Sequence, residues 1–269
     1  MWQLLLLTLA TAKIVEHNFT ASWVERNPDG VHPRRVIALN GQWPLPVITA
    51  DEDDRVIIRL QNELGEDRTL LHFHVLFQKG TPGMDGPEMV TQCPVVPGLS
   101  ITYNFTVNQA GTYWYHLHLG LQYSDGLRGM LVIKPKSLNI DYDHETTLSL
   151  SDWYHLELKD IMDGFMSRYN PTGAEPIPQN ALFNDTRNAT WTVEPEKTYL
   201  VHICNMGMFV LQYLYIEDHK MTVVEIDGVA TLPYETESLK IAVAQRYSVL
   251  VTPKAVKKSK AFKFINILD

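Results

Sequence analysis

Apolar and polar residues alternate in short runs along most of this chain, and Gly, Pro, Asn and Asp cut the runs apart. A period of two puts successive side chains on opposite faces of a strand, and turn formers end it. The pattern predicts strands at 55–60, 71–77, 100–107, 111–116, 129–133, 146–150, 198–203, 211–216, 222–226, 240–244 and 248–251. A single stretch, 156–168, reads as a helical turn or more following Asp152. Between the strand runs, K-P-K-S-L-N-I-D-Y (134–142) reads as a linker. The expectation is an all-β protein of two tandem Greek-key sandwiches, 13–135 and 142–269. The second is expected to be incomplete, because F-K-F-I-N-I-L-D (262–269) breaks off within an apolar strand pattern.

Two predicted strands carry histidine couplets, His72-Phe73-His74 and His116-Leu117-His118. Residues two apart on a strand share a face, so each couplet can aim both imidazoles into one place. With 10 histidines among 269 residues, about 0.4 such pairs arise by chance, so the spacing alone decides little and the flanking residues must. The flanks are L-H-F-H-V-L-F-Q-K-G-T-P-G-M-D-G-P (71–87), T-Q-C-P (91–94), G-T-Y-W-Y-H-L-H (111–118) and Q-Y-S-D-G-L-R-G (122–129). Together they resemble the first copper-binding domain of the multicopper oxidases, the group of laccases, ascorbate oxidase and ferroxidases. Within that family, N-P-T-G-A-E-P-I-P-Q-N (170–180), E-D-H-K-M-T-V-V-E-I-D-G (217–228) and A-Q-R-Y (244–247) resemble the fungal iron-transport members of the cell surface.

The resemblance implies cupredoxin-like domains and a set of roles. His72 would ligate a type 2 copper, and His74, His116 and His118 would serve a coupled type 3 pair of a trinuclear cluster that reduces O2 to water. Imidazole is a suitable copper ligand. Asp85 would orient water or relay protons beside the cluster; from its own context, M-D-G-P, it also reads as a turn residue. Glu175 would help bind Fe2+, the feature separating ferroxidases from laccases acting on phenols, whereas its bare context is a solvated loop. The implied partner is an iron permease that receives Fe3+. Family members supply the other half of the cluster and the type 1 copper from a C-terminal domain with H-P-x-H-x-H and H-C-H motifs, neither of which occurs here. The chain is therefore expected to be a fragment, completed by a third domain in cis or in trans, or else a non-catalytic copper-binding remnant. Several positions depart from the family: Val75 replaces a glycine, Leu117 a small polar residue, and Met208 another glycine.

Composition narrows the setting. The formal net charge of -8 and pI of about 5.7 argue against nucleic acid as a partner. The basic run within 254–263 reads as a solvated loop. An apolar start, M-W-Q-L-L-L-L-T-L-A-T-A (1–12), reads as a secretory signal or as a first strand. Sequons at Asn18, Asn104, Asn184 and Asn188 favour the signal and an extracellular or cell-surface site. No run reaches the ~18 apolar residues of a membrane span, and an anchor is expected only in a longer form. The resemblance leaves Cys93 unpaired, its partner lying outside the chain. Cys204, in an apolar strand context, reads as a buried thiol, with a Cys93–Cys204 bridge the open alternative.

Overall fold

The computed structural model describes residues 12–118, 120, 122–137, 139–255 and 263–268. The apolar start and most of the basic run lie outside the described residues. The strands of the first half are β1 (Ile14–Arg26), β2 (Arg34–Leu39), β3 (Ile48–Asp51), β4 (Arg55–Asn62), β5 (His72–His74), β6 (Ser100–Thr106), β7 (Gly111–His116) and β8 (Arg128–Lys134). The second half holds β9 (His144–Trp153), α1 (Leu158–Phe165), β10 (Asn180–Phe183), β11 (Tyr199–Asn205), β12 (Gln212–Ile216), β13 (Met221–Ile226), β14 (Val229–Thr236), β15 (Ser238–Ile241), β16 (Arg246–Val251) and β17 (Phe264–Leu268).

Each half is a β-sandwich. Sheets ordered β2-β1-β4-β6 and β3-β8-β7-β5 face one another in the first; β10-β9-β11-β16-β13-β14 and β15-β12-β17 do so in the second. In both, most neighbours are antiparallel and a few are parallel (β1 with β4, β3 with β8, β9 with β11). This mixture requires strands that cross between sheets, as in Greek-key sandwiches. The first core is filled by inward residues such as Ile37, Ile48, Ile58, Leu60, Phe73, Tyr103, Tyr113 and Tyr115. The second is filled by Leu150, Val201, Ile203, Leu214, Met221, Ile241 and Val249. The break after β8 falls inside 134–142, where the Pro-containing stretch K-P-K-S ends strand pairing.

The sandwiches meet through apolar groups, Trp153 and Leu182 of the second packing into the core of the first, and through polar ones. Arg128 and Asp185 form a buried ion pair at 2.7 Å. At a second node the Thr112 hydroxyl of β7 lies 2.8 Å from His202 Nδ1 and 2.9 Å from Ser248 Oγ, while His202 Nε2 contacts Glu145 at 3.1 Å. The His202 hydrogen bond, followed by the Lys134 ammonium, holds the Glu145 carboxyl down at about 2 against an ordinary value of 4.5. A carboxylate more acidic in the folded state stabilises fully above its unfolded value and loses that contribution as pH falls toward the folded one. Acid unfolding is therefore expected to deepen between those two values. Glu145→Gln should flatten this limb when stability is followed by urea titration across that range; an unchanged acid limb would remove Glu145 from the interface account.

Two sequence expectations need correction. The run 71–77 forms strand only over His72–His74, because Val75 adopts φ 65° and turns the chain away. The run 240–244 is strand only to Ile241, and Ala244 likewise has a positive φ of 66°. The stretch 156–168 holds the expected helical turn or more, as helix over Leu158–Phe165. Five strands went unread, including the 13-residue β1, in which the inward Val15, Phe19, Ala21 and Trp23 are interrupted by His17 and separated by Asn18, Thr20 and Ser22. Cys93 is exposed and Cys204 buried, both as free thiols, so the bridge between them is absent.

Candidate metal centre

β5 and β7 pair antiparallel with His72 opposite His116, Phe73 opposite Tyr115 and His74 opposite Trp114. The pleat sends Phe73 and Tyr115 into the core, each fully buried, and leaves His72, His74, Trp114 and His116 on the opposite face. His118 follows just beyond the end of β7, exposed, its ring centroid 5.3 Å from that of His72 and 5.9 Å from that of His116. One nitrogen from each of His72, His74 and His116 lies within 4.8 Å of the others. The structure thus brings all four sequence-predicted imidazoles together, on two strands some forty residues apart.

Hydrogen bonds orient the rings. His72 Nδ1–H donates to the main-chain carbonyl of Asp85 at 2.8 Å, and His116 Nδ1–H donates to that of Leu117 at 2.9 Å. Both bonds leave Nε2 with its lone pair free. His74 presents Nδ1 instead, 3.3 Å from His116 Nε2. Burial drives the His74 imidazole down to about 4, with further lowering from His72, Arg246 and His118; burial also lowers His72, and His116 well below the ordinary value. Neutral imidazoles with converging lone pairs are what a copper ion needs from its ligands. The donor set fits copper.

Asp85 is the turn residue that its own context predicts, and its side chain lies beside His72. Its backbone forms the turn, with the carbonyl also accepting from Phe73 N–H at 3.2 Å, and its carboxylate stands 3.5 Å from His72 Nδ1. Gly86 makes the turn possible: at φ 105° a Cβ there would lie 2.0 Å from Leu71 O and 2.7 Å from His72 Cα. Glu175 is placed elsewhere, in the exposed stretch between α1 and β10 near Tyr154, whose hydroxyl donates to Pro176 O at 3.3 Å. Leu117 points into the first core and is fully buried, away from the imidazoles as its alternation requires. Two aromatic walls escaped the sequence reading. Trp114 stacks on His116 at 4.0 Å and 23°, and Tyr123 meets His116 edge-on at 5.5 Å. The signal for Trp114 was available: it stands two residues before His116 and so shares its face. Behind it pack Met130, Cys204 and Met206, so the second sandwich backs the site.

Val75 is strained as a β-branched residue at positive φ. Its side chain is 43% exposed, so little packing opposes a change. Val75→Gly relieves about 1–2 kcal/mol of left-handed strain against a loss of about 0.4–1 kcal/mol from a freer unfolded chain. The variant is expected to raise the unfolding midpoint in a thermal melt, and a lowered midpoint would contradict the strain.

Multicopper oxidase family models match residues 20–138 and 144–264, covering both sandwiches. The chain is 52% identical over 265 residues to the iron transport multicopper oxidase FET3 of Candida albicans, covering 98% of this chain and 42% of that protein. It is 54% identical over 250 residues to the FET3 of Saccharomyces cerevisiae, covering 93% of this chain and 39% of that one. The chain therefore spans less than half the length of these relatives. Among solved structures, that of Fet3p, described as a multicopper oxidase that functions in iron import, superposes with a TM-score of 0.92 at 52% identity, over 95% of this chain and 48% of that one. The laccase from Botrytis aclada gives 0.82 at 32% identity, over 91% and 48%. Both sandwiches matched by family models, a shared cupredoxin-like fold and paired histidine couplets on β5 and β7 lead to one conclusion: this chain belongs to the multicopper oxidase family.

Proposed function

We propose that the chain forms two cupredoxin-like domains, 13–135 and 142–269, of a ferroxidase-type oxidase that converts Fe2+ to Fe3+ and reduces O2 to water in high-affinity iron uptake. The observation that carries this reading is the convergence of three neutral imidazole donors within 4.8 Å in a chain 52% identical to an iron transport multicopper oxidase. His72 would hold a type 2 copper, and His74, His116 and His118 the type 3 pair. When bound, copper supplies the redox chemistry of O2 reduction. The chain's own part is to bury His72, His74 and His116, which favours their neutral forms, and to fix the tautomers of His72 and His116 through the Asp85 and Leu117 carbonyls. The Asp85 carboxylate, whose 3.5 Å distance from His72 supports the reading, would act as a proton relay beside the copper ligands. Glu175, exposed on its loop, would bind Fe2+ and favour its oxidised product.

The rest of the cluster and the type 1 copper would come from a third domain, and Fe3+ would pass to an iron permease. Exposure of Asn18, Asn184 and Asn188, with Asn104 half-buried, leaves all four sequons open to glycosylation in a secreted or cell-surface product. Neither cysteine neighbours a histidine in sequence. The 269-residue chain loaded with copper is therefore expected to lack an intense thiolate-to-copper band at about 600 nm. The deciding experiment follows Fe2+ oxidation against O2 consumption by the whole natural product. Four Fe2+ consumed per O2, with Glu175→Ala lowering kcat/KM for Fe2+ and sparing phenol oxidation, supports the ferroxidase. Phenol turnover without Fe2+ turnover would instead make it a laccase.

A further inference from the structure

β5 is unusually short, with three residues paired to β7, although the apolar run continues to Phe77. Were the ladder to continue, Val75 would face Tyr113 and Leu76 would join the imidazole face. Instead Val75 turns out at φ 65°, and Leu76 N–H closes back onto Phe73 O at 3.2 Å. The backbone groups that this turn removes from the ladder are met by one side chain. Gln109 Nε2 donates to Val75 O at 3.1 Å, and Phe77 N–H donates to Gln109 Oε1 at 3.1 Å. A primary amide thus takes the place of a strand partner, bonding the carbonyl of the strained residue itself and the N–H two residues further on, on either side of Leu76. Gln109 lies just before β7, in the connection from β6. The same contact therefore ties the exit of one couplet strand to the entry of the other.

The geometry points to Gln109 as a positioning residue for the metal centre: its amide holds Val75 in the left-handed conformation and so sets His74 Nδ1 at 3.3 Å from His116 Nε2. His74 has no hydrogen bond of its own to a carbonyl comparable with those of His72 and His116 among the described contacts. Its ring is located by Trp114, centroids 5.0 Å apart, and by the path of its backbone. That path is what the clamp controls. Glycine at 75 adopts the left-handed conformation without help, so the requirement for Gln109 should disappear in that background.

This inference rests on the metal-centre reading, and a double-mutant cycle with two readouts separates them. The chain, its Gln109→Ala and Val75→Gly variants and the double variant are titrated with Cu2+, with the Cu2+ EPR spectrum recorded for each. Gln109→Ala is expected to weaken Cu2+ binding about 10-fold and alter the spectrum when residue 75 is Val, the scale of losing an orienting contact. With Gly at 75 the same substitution should cost less than about 3-fold. Amide hydrogen exchange of the metal-free chain supplies the second readout: Gln109→Ala should accelerate exchange at Leu76 with Val at 75 but not with Gly. Equal effects in both backgrounds, or none at Leu76, would overturn the clamp. A parent chain that takes up no Cu2+ would overturn the metal centre, while exchange at Leu76 would still decide the clamp.

Discussion

His116→Ala is expected to weaken copper uptake by the chain more than about 100-fold, beyond the range seen when only an orienting contact is lost. Its imidazole meets each of the other three, with ring centroids 5.2 Å from His72, 5.4 Å from His74 and 5.9 Å from His118. It is also the most buried of the four, at 5% exposure, held by Leu117 O and stacked on Trp114. Alanine therefore removes a donor that no neighbour can replace without moving a strand. Cu2+ titration with far-UV circular dichroism separates loss of the ligand from loss of the fold. His144→Ala, half-exposed in the second sandwich, serves as the control that should bind as the parent does. Parent-like affinity in His116→Ala would mean that copper sits elsewhere. Because burial holds His74 at about 4, its proton competition begins well below the ordinary histidine value of 6.5, and uptake should persist as pH falls through that value.

Asp185→Ala is expected to cost about 3–5 kcal/mol of stability, a fall in the thermal midpoint on the order of 10 °C. Asp185 Oδ1 accepts from Arg128 Nη2 at 2.7 Å and from Ser151 Oγ at 2.8 Å, with both charged side chains only 2% exposed. Deleting the carboxylate strands a buried guanidinium between the sandwiches. The damage should reach the metal centre, since Arg128 pairs directly with His116 in the β7–β8 ladder. The substitution keeps the N-x-T sequon at Asn184, so glycosylation is not confounded. Urea unfolding of Asp185→Ala beside the double variant Arg128→Met/Asp185→Leu checks the cause. The double variant should recover most of the loss, because it leaves no unpaired charge. A single variant as stable as the parent would show the pair to be inert.

Strands whose inward positions are large and apolar were legible from pattern alone. The run 111–116 matches β7 at both ends, and 211–216 and 222–226 match β12 and β13 to within one residue. β1 was not legible because its place between β2 and β4 is set by pairing partners, while half its residues are polar. β14 is exposed along almost its whole length, so burial imposed no alternation to read. At the metal centre, the histidines and the Asp85 turn stood out in their motifs. Trp114, Tyr123 and the Gln109 clamp did not, because their roles depend on what lies across a strand or a loop.

Local order alone determined several features: the all-β class, the placing of both histidines on one face of each couplet, and the turning of Leu117 away from that face. Each follows from a two-residue period or from turn chemistry, which are properties of neighbours in the chain. The tertiary structure decided which strands lie side by side, and so brought a nitrogen from each of His72, His74 and His116 to within 4.8 Å of the others. It also decided the protonation of the imidazoles, which burial sets, and the early end of β5, where the amide of Gln109 replaces a strand. Those outcomes come from groups far apart in sequence, whose free energies exist only once the chain has folded around them.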